Sequence, residues 1–168
     1  CVQCGAGKYL DSTGGAVCIA CPRGRYGEAE GATACINCAA GHYRFTAGGS
    51  ACDPCEAGRA NGLAAQWAPS ACAACAAGTF AAEGSEACED CPAGTSQNMT
   101  AASACEDCPA GRFEGSTGST AGCTSCAAGT LSAAGSAACA AQCAAGHYAD
   151  TAGGAQACRS CPVGRAVG

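Results

Sequence analysis

Cysteine is the residue type in this sequence with the clearest chemistry, because its twenty copies are regularly spaced. Nine pairs have the form C-x-x-C, namely Cys1/Cys4, Cys18/Cys21, Cys35/Cys38, Cys52/Cys55, Cys72/Cys75, Cys88/Cys91, Cys105/Cys108, Cys123/Cys126 and Cys158/Cys161. The tenth pair, Cys139 and Cys143 in CAAQC, is separated by three residues. Cysteines at such spacings can bind zinc as thiolates, exchange disulfides in redox sites, or form structural disulfides.

Zinc binding is one alternative, because C-x2-C-x13-C-x2-C suits sites of four cysteines. Twenty cysteines would make five such sites. An array of zinc sites should alternate two kinds of connection, a loop inside each site and a linker between sites. The nine connecting segments instead share a Gly, a position for an aromatic ring and a small residue before the next cysteine. One kind of loop favours one repeated bond, which a disulfide supplies.

The disulfide pattern that repeats with every segment and uses nearest cysteines joins the second Cys of one pair to the first of the next. The predicted bonds are Cys4–Cys18, Cys21–Cys35, Cys38–Cys52, Cys55–Cys72, Cys75–Cys88, Cys91–Cys105, Cys108–Cys123, Cys126–Cys139 and Cys143–Cys158. Cys1 and Cys161 are expected to bond outside this set. Bonding inside each C-x-x-C would also repeat, but it closes the tight ring common in redox sites and leaves the large loops free.

The CAAQC exception favours the loop pattern over zinc or redox sites, which depend on the spacing inside a pair. In the predicted pattern, Cys139 and Cys143 belong to different bonds, and the residues between them are a connector. The preceding loop is one residue short, so the step from Cys126 to Cys143 keeps the common 17-residue spacing.

Internal repeats set the domain organisation, which we predict to be one tandem array cut from a longer chain. The predicted repeats are 4–20, 21–37, 38–54, 55–74, 75–90, 91–107, 108–125, 126–142, 143–160 and a partial 161–168. Each has a Gly three residues after its opening Cys, where positive φ or a close backbone approach is expected. Most have a Tyr or Phe two residues later and a second Gly in the middle of the repeat.

These positions predict small disulfide-rich repeats with almost no helix. Each repeat is expected to contain a turn, a short extended segment, a second turn and a short return to the next Cys. The two-stranded β-ribbons should be three or four residues long and stacked into an elongated rod in which each repeat touches only its neighbours.

The composition explains why cross-links are needed and limits the function. Leu, Ile, Val and Phe together number twelve, too few for a large core, whereas cysteine is about 12% of the chain. Eight scattered Lys and Arg residues and a net charge of -5 argue against nucleic-acid binding. No apolar run approaches the roughly 20 residues of a membrane span. We expect no enzyme activity and no cofactor, because no catalytic constellation is recognisable.

Three features could carry a function beyond cross-linking. Asn98 begins NMT, an acceptor sequence for N-glycosylation, although an unused sequon is the alternative. Trp67, the single Trp, lies in a longer repeat and could anchor a partner or fill a gap under its own loop. The segment CEDC, at 88–91 and again at 105–108, could recruit Ca²⁺ or form a solvated acidic face.

The stretches CPAGRF, CPRGRY and CIACPRGRYGEAEGATACINC resemble ephrin-receptor-like cysteine-rich repeats. They also resemble the first module of tumour-necrosis-factor-receptor cysteine-rich domains and growth-factor-receptor-type repeats. The resemblance implies an extracellular location, little regular secondary structure and a disulfide across each loop. The high Ala content resembles that of green-algal surface proteins, including those of the flagellar filaments called mastigonemes.

Two functions are therefore expected as alternatives. The first is a non-catalytic extracellular structural module, a disulfide-stapled spacer or filament component of a surface glycoprotein. Its partners would be neighbouring copies or other surface-filament chains, and it would carry covalent glycans. The second is a ligand-binding receptor-type cysteine-rich ectodomain.

Overall fold

The computed structural model describes residues 3–11, 17–143, 146–150 and 157–162 of the chain. The chain divides into two compact halves, Cys1–Cys75 with Ala81–Cys88 and Ala76–Phe80 with Glu89–Gly168. Among the described residues, the helical content is one 3-10 turn, Pro69–Ala71, and no helix is apolar and long enough to span a bilayer. Short hairpins and disulfides make up the rest, which confirms the fold class of small disulfide-rich repeats.

The described residues form nine two-stranded antiparallel hairpins, which follow one another along the chain. They are β1 (Lys8–Tyr9) with β2 (Ile19–Ala20), β3 (Arg25–Tyr26) with β4 (Ile36–Asn37), β5 (His42–Tyr43) with β6 (Asp53–Pro54), β7 (Arg59–Ala60) with β8 (Ala73–Ala74), β9 (Thr79–Phe80) with β10 (Glu89–Asp90), β11 (Thr95–Ser96) with β12 (Glu106–Asp107), β13 (Arg112–Phe113) with β14 (Thr124–Ser125), β15 (Thr130–Leu131) with β16 (Ala140–Gln142), and β17 (His147–Asp150) with β18 (Ala157–Ser160).

The second strand of every hairpin from β1–β2 to β15–β16 lies after the closing Cys, inside the next cysteine pair, whereas β18 begins at Ala157 and contains the closing Cys158. In the repeat that opens at Cys21, for example, Arg25 pairs with Asn37 and Tyr26 with Ile36. The predicted return before the closing Cys is therefore wrong for these hairpins, and most strands have two residues instead of three or four. A strand at the predicted place would lie before the closing Cys. The observed strand is formed by the two residues between that Cys and the next opening Cys, and the disulfides of both cysteines already fix its position.

The exception CAAQC is also explained by this placement. Its central residues form β16, so the prediction that they are merely a connector is wrong. Thr130 pairs with Gln142 and Leu131 with Ala140, and the register shifts between them. The extra residue is absorbed as a β-bulge, which inserts one residue into one strand without ending the pairing.

In the part of the chain that the structure describes, nine disulfides close the loops, and they join the nine pairs that the repeat pattern predicts. The sequence separation within a bond ranges from 13 in Cys75–Cys88 to 17 in Cys55–Cys72. Cysteines paired across loops are neither bonded inside C-x-x-C nor available as zinc thiolates. Cys161 forms no disulfide within the described residues, and Cys1 lies outside them.

The core consists mainly of half-cystines, because the chain has few bulky apolar side chains. The opening Cys of seven repeats is almost completely buried, and these residues are Cys4, Cys21, Cys38, Cys55, Cys75, Cys91 and Cys108. Most closing cysteines are only half-buried. The sulfur at the start of each loop therefore does the packing that Leu or Ile would do in a larger domain.

The Gly three residues after each opening Cys, hereafter the turn glycine, connects consecutive repeats. Its N–H donates to the carbonyl oxygen of the residue six positions after the next opening Cys. The seven equivalent bonds are Gly7 to Gly27, Gly24 to Arg44, Gly41 to Asn61, Gly58 to Ala81, Gly78 to Gln97, Gly94 to Glu114 and Gly111 to Ser132. These turn glycines have φ between 76° and 91°, which is the conformation of Gly at the third position of a type II turn.

Contacts also reach the second repeat along, which corrects the expectation that each repeat touches only its neighbours. A Cβ on Gly7 would overlap the carbonyl oxygen of Gly48, and one on Gly94 would overlap that of Gly135. The equivalent contacts of Gly24, Gly41 and Gly78 are with Ala65, Gly84 and Gly118. Each repeat is thin, with strands of two residues, so the backbone of the second repeat comes within reach.

The residue at the mid-repeat position has positive φ, and its carbonyl receives this contact at Gly48, Ala65, Gly84, Gly118 and Gly135. Gly31 has the same conformation, and alanine adopts it at Ala65 and Ala101, with φ of 59° and 57°. In six repeats the N–H of the mid-repeat residue donates back to the opening Cys of the preceding repeat, as Gly48 does to Cys21 at 2.8 Å. The geometry therefore persists where glycine is absent, at the cost of a strained alanine.

Candidate functional sites

Trp67 lies on the surface with Phe45 and Arg23, and we call these three residues the aromatic–arginine cluster. The Arg23 Cζ atom lies 5.2 Å from the Phe45 ring centroid and 5.8 Å from the Trp67 ring centroid. Trp67 is 51% exposed and Phe45 is 49% exposed. The exposure of Trp67 contradicts the alternative that it fills a gap under its own loop, and it leaves the partner-anchor hypothesis as a prediction.

Backbone bonds between three consecutive repeats hold the aromatic–arginine cluster in place. Arg23 precedes Gly24, whose N–H donates to the Arg44 carbonyl at 3.0 Å. The backbone N–H of Arg44 in turn donates to the carbonyl oxygen of Gln66 at 3.0 Å, and Gln66 directly precedes Trp67. Each side chain of the cluster is therefore next to a backbone atom that the repeat pattern fixes, although the three residues are far apart in sequence.

The tyrosines after two turn glycines line equivalent surface grooves. Tyr43 lines a groove of about 310 Å³ with Glu56, Arg59, Ser70 and Cys72 of the next repeat. Tyr26 lines an equivalent groove of about 320 Å³ with residues that include His42 and Cys52 of the next repeat. Both rings therefore share a groove with a cysteine of the disulfide in the following repeat.

Polar side chains six residues after an opening Cys are a feature that the sequence reasoning missed. Asn61 is buried, and its Oδ1 accepts the N–H of Leu63 at 3.0 Å. Gln97 is also buried, and its Oε1 accepts the N–H of Met99 at 3.0 Å. Both residues lie six positions after an opening Cys, and this shared position could have predicted their role. Side-chain amides and carboxylates commonly accept the backbone N–H two residues ahead in a turn.

Glu114 occupies the same position in its repeat and makes the same bond with a charged group. Its Oε1 accepts the N–H of Ser116 at 2.9 Å, and its Oε2 accepts the Ser119 hydroxyl at 2.7 Å. The Ser119 hydroxyl, and then the Ser116 N–H, lower the pKa of the Glu114 carboxyl below its ordinary value, because both bonds favour the carboxylate.

Asn98, the predicted glycosylation residue, is exposed in the turn that Gln97 holds. Met99 and Thr100 of the same NMT sequence are also exposed. Besides accepting the Met99 N–H, the Gln97 side chain donates from Nε2 to the Ala104 carbonyl at 3.0 Å. The acceptor amide therefore projects from a turn whose backbone is tied down on both sides.

The acidic pairs of the two CEDC segments form strands β10 and β12, and their four side chains are exposed. Asp90 lies beside Gly118, with Cγ 3.6 Å from the place that a Cβ would take there. Asp107 lies in the same way beside Gly135, at 3.5 Å from its Oδ1. Within the described residues, no three His, Cys, Asp or Glu side chains come together as a metal site.

Comparison with known proteins gives one family likeness. No curated protein matches the chain. Residues 1–34 and 78–126 match the family model of tyrosine-protein kinase ephrin type A/B receptor-like sequences. These two stretches are therefore similar to the cysteine-rich repeats of that family.

Proposed function

We propose that this chain is a non-catalytic structural module of an extracellular surface glycoprotein, a disulfide-stapled spacer or filament component made of ephrin-receptor-like repeats. The observation that carries the proposal is the repetition of one bond set. The same loop disulfide and the same turn-glycine hydrogen bond recur along the chain with small side chains around them. Such repetition favours mechanical continuity over a single specialised pocket.

The disulfides and the family likeness support an extracellular location. Structural disulfides persist in secreted and surface proteins and are rare in the reducing cytosol. Nine of them in 168 residues would be lost where thiols are kept reduced. Neighbouring copies or other surface-filament chains are the partners that we propose.

The location and the structural role are tested together in the cell that makes the protein. A tagged chain should be accessible to a membrane-impermeant label on intact cells, and deletion of its gene should remove or weaken a visible surface layer or filament. A tagged chain that is shielded in intact cells, or a deletion that leaves surface architecture intact and abolishes the response to one soluble ligand, would contradict the structural role.

The aromatic–arginine cluster favours a second candidate, a ligand-binding receptor-type ectodomain. Trp, Phe and Arg are typical of interface centres, and here two half-exposed rings lie beside a cation on one surface. A saturable one-to-one complex between the purified chain and a soluble ligand would support this function, whereas assembly among copies supports the structural one.

The glycoprotein part of the proposal places an N-linked glycan on Asn98. Expression in a eukaryotic secretory host should give a chain whose intact mass falls on treatment with a glycosidase specific for N-glycans. Asn98→Gln should abolish the difference, and Thr100→Ser, which keeps the sequon, should retain it. An unmodified mass for the wild-type chain would show that the sequon is unused in that host.

A further inference from the structure

The aromatic–arginine cluster has the composition of an interface centre, yet its rings face solvent. It combines the single Trp with one of three Phe residues, both about half exposed, in a chain of few aromatic side chains. Large exposed rings are unfavourable in water and are commonly retained where a partner covers them. Backbone bonds link the three repeats that carry the rings and Arg23, so little backbone freedom remains to be lost on binding.

Arg23 determines which chemistry the partner should have. Its guanidinium carbon lies within 6 Å of both ring centroids, and the N–H groups of a guanidinium lie in its plane, pointing away from that carbon. Within the described residues, these N–H groups have no hydrogen-bond partner. A guanidinium that stacks through its face can still bind a carboxylate through its edge, often with two hydrogen bonds. The partner should therefore present exposed carboxylates.

The chain itself carries a surface of that kind. Residues 83–114 contain seven of the thirteen acidic side chains and a single Arg. Four of the seven form β10 and β12, where all side chains are exposed. We call Glu89, Asp90, Glu106 and Asp107 the acidic strands. They come from equivalent positions of consecutive repeats, so they present the same chemistry twice.

We propose that the aromatic–arginine cluster of one chain binds the acidic strands of a second copy. The contact is heterologous, because the two surfaces differ, so a dimer still offers one free cluster on one copy and one free pair of acidic strands on the other. Contacts of this type continue from copy to copy unless a rotation closes them into a ring. The inference rests on the proposed structural function and names the partner surface that it needs.

Two variants of the oxidised chain test the proposal when they are mixed. Arg23→Ala with Trp67→Ala lacks the cluster, and Glu89→Gln, Asp90→Asn, Glu106→Gln with Asp107→Asn lacks the acidic strands. The wild-type mass in sedimentation should grow with concentration beyond a dimer, and each variant alone should stay monomeric at tenfold higher concentration. An equimolar mixture should form dimers and stop there, because each variant supplies the surface that the other lacks.

Salt and a matched control sharpen the test. The apparent affinity of association should fall at least tenfold between low and high salt. The proposed contact pairs carboxylates with a guanidinium at a solvent-exposed surface, where dissolved ions screen the attraction. Val17→Ala removes another exposed apolar side chain, 74% exposed and outside both surfaces, and should associate as the wild type does. Intact mass and protease resistance check that all variants have their disulfides.

Two different results would overturn the proposal. Dimers of the acidic-strand variant alone, with none gained on mixing, would indicate contact between two clusters. Wild-type chains that stay monomeric at all accessible concentrations and salts would refute self-association. Surface labelling and the deletion phenotype are independent of this experiment, so the structural function could stand when the copy-to-copy contact fails.

Discussion

Gly94 and Gly129 are turn glycines with nearly the same backbone, with φ of 91° and 82°, but with different surroundings. A Cβ on Gly94 would overlap the carbonyl oxygen of Gly135, whereas the described residues include no mid-repeat residue two repeats after Gly129, and none of them lies within 4 Å of a Cβ there. The sequence motif is the same at both places. The comparison therefore separates two requirements for glycine, one for a left-handed turn and one for space against a repeat two positions along.

Reduction of the disulfides should have the largest effect, because it opens the loops that hold both Gly94 and Gly129 in their turns. Each loop of about 15 residues contributes roughly 3 kcal/mol in the chain-entropy model, and the apolar core is too small to replace several such bonds. Circular dichroism and protease resistance should both change to those of an unfolded chain in strong reductant. A reduced and alkylated chain that keeps its protease resistance would contradict this account.

Gly94→Ala should have the second-largest effect. It adds a backbone overlap to the strain of alanine at positive φ, so the expected loss is about 3 kcal/mol in local stability. Hydrogen exchange of the oxidised chain measures it through the amide of Gly118, which donates to the Cys91 carbonyl at 2.8 Å. Unchanged protection of that amide would mean that the backbone moves aside easily.

In the 168-residue chain, Gly129→Ala should cost less, about 1 kcal/mol, because the positive φ is the one unfavourable feature that the described residues show there. The amide of Cys143, which donates to the Gly129 carbonyl at 2.9 Å, reports the local opening. The difference between the two alanine variants gives the contribution of the contact with Gly135. Equal losses at both positions would show that the turn conformation alone explains the motif.

Ala101→Gly makes the opposite change, from alanine to glycine, at the mid-repeat position. Ala101 has φ of 57° where equivalent repeats have glycine, so glycine should stabilise the oxidised chain by roughly 0.5–1 kcal/mol. Gly118→Ala is the reverse change at the equivalent position and should destabilise by a similar amount. The chaotrope concentration at half-unfolding, followed by far-ultraviolet dichroism, measures both. A destabilising Ala101→Gly would show that the alanine methyl makes a compensating contact.

The smallest expected effect concerns pH and compares Glu114 with Gln97. The folded-state pKa of Glu114 is lowered below its ordinary value of 4.5, first by the Ser119 hydroxyl. Its contribution to stability is therefore present above the unfolded pKa and is lost as pH falls through the folded pKa. Glu114→Gln should keep the bond to Ser116 and remove this part of the acid sensitivity. Identical acid titrations of stability in the two chains would assign no role to the carboxylate.

Regular features of the fold could be predicted from the sequence because they recur at fixed positions. The loop pattern of the cysteines and the positive φ of the turn glycines are of this kind. The position of the second strand is not predictable, because two residues between cysteines, such as Ile36 and Asn37, are too short a run to show the alternation of a strand. They pair with Arg25 and Tyr26 because the Cys21–Cys35 bond brings them there.

The candidate site was less predictable, because contacts between repeats create it. Trp67 was recognisable as an unusual residue, but Arg23 looked like one of several scattered cations. Their proximity depends on the chain of backbone bonds through Gly24, Arg44 and Gln66. The left-handed conformation of Ala65 is equally hard to predict from the sequence, since it is set by the position in the repeat and not by the residue type.

The contact of turn glycines with the second repeat along changes how cooperativity should be described in this array. Repeat proteins are usually treated as chains of elements coupled to their nearest neighbours. Where Gly24 meets Ala65, the coupling skips one element, so three consecutive repeats form the smallest set containing every type of contact. Local opening of one repeat should therefore loosen two repeats on each side, and excised fragments should gain stability per repeat up to the third and beyond.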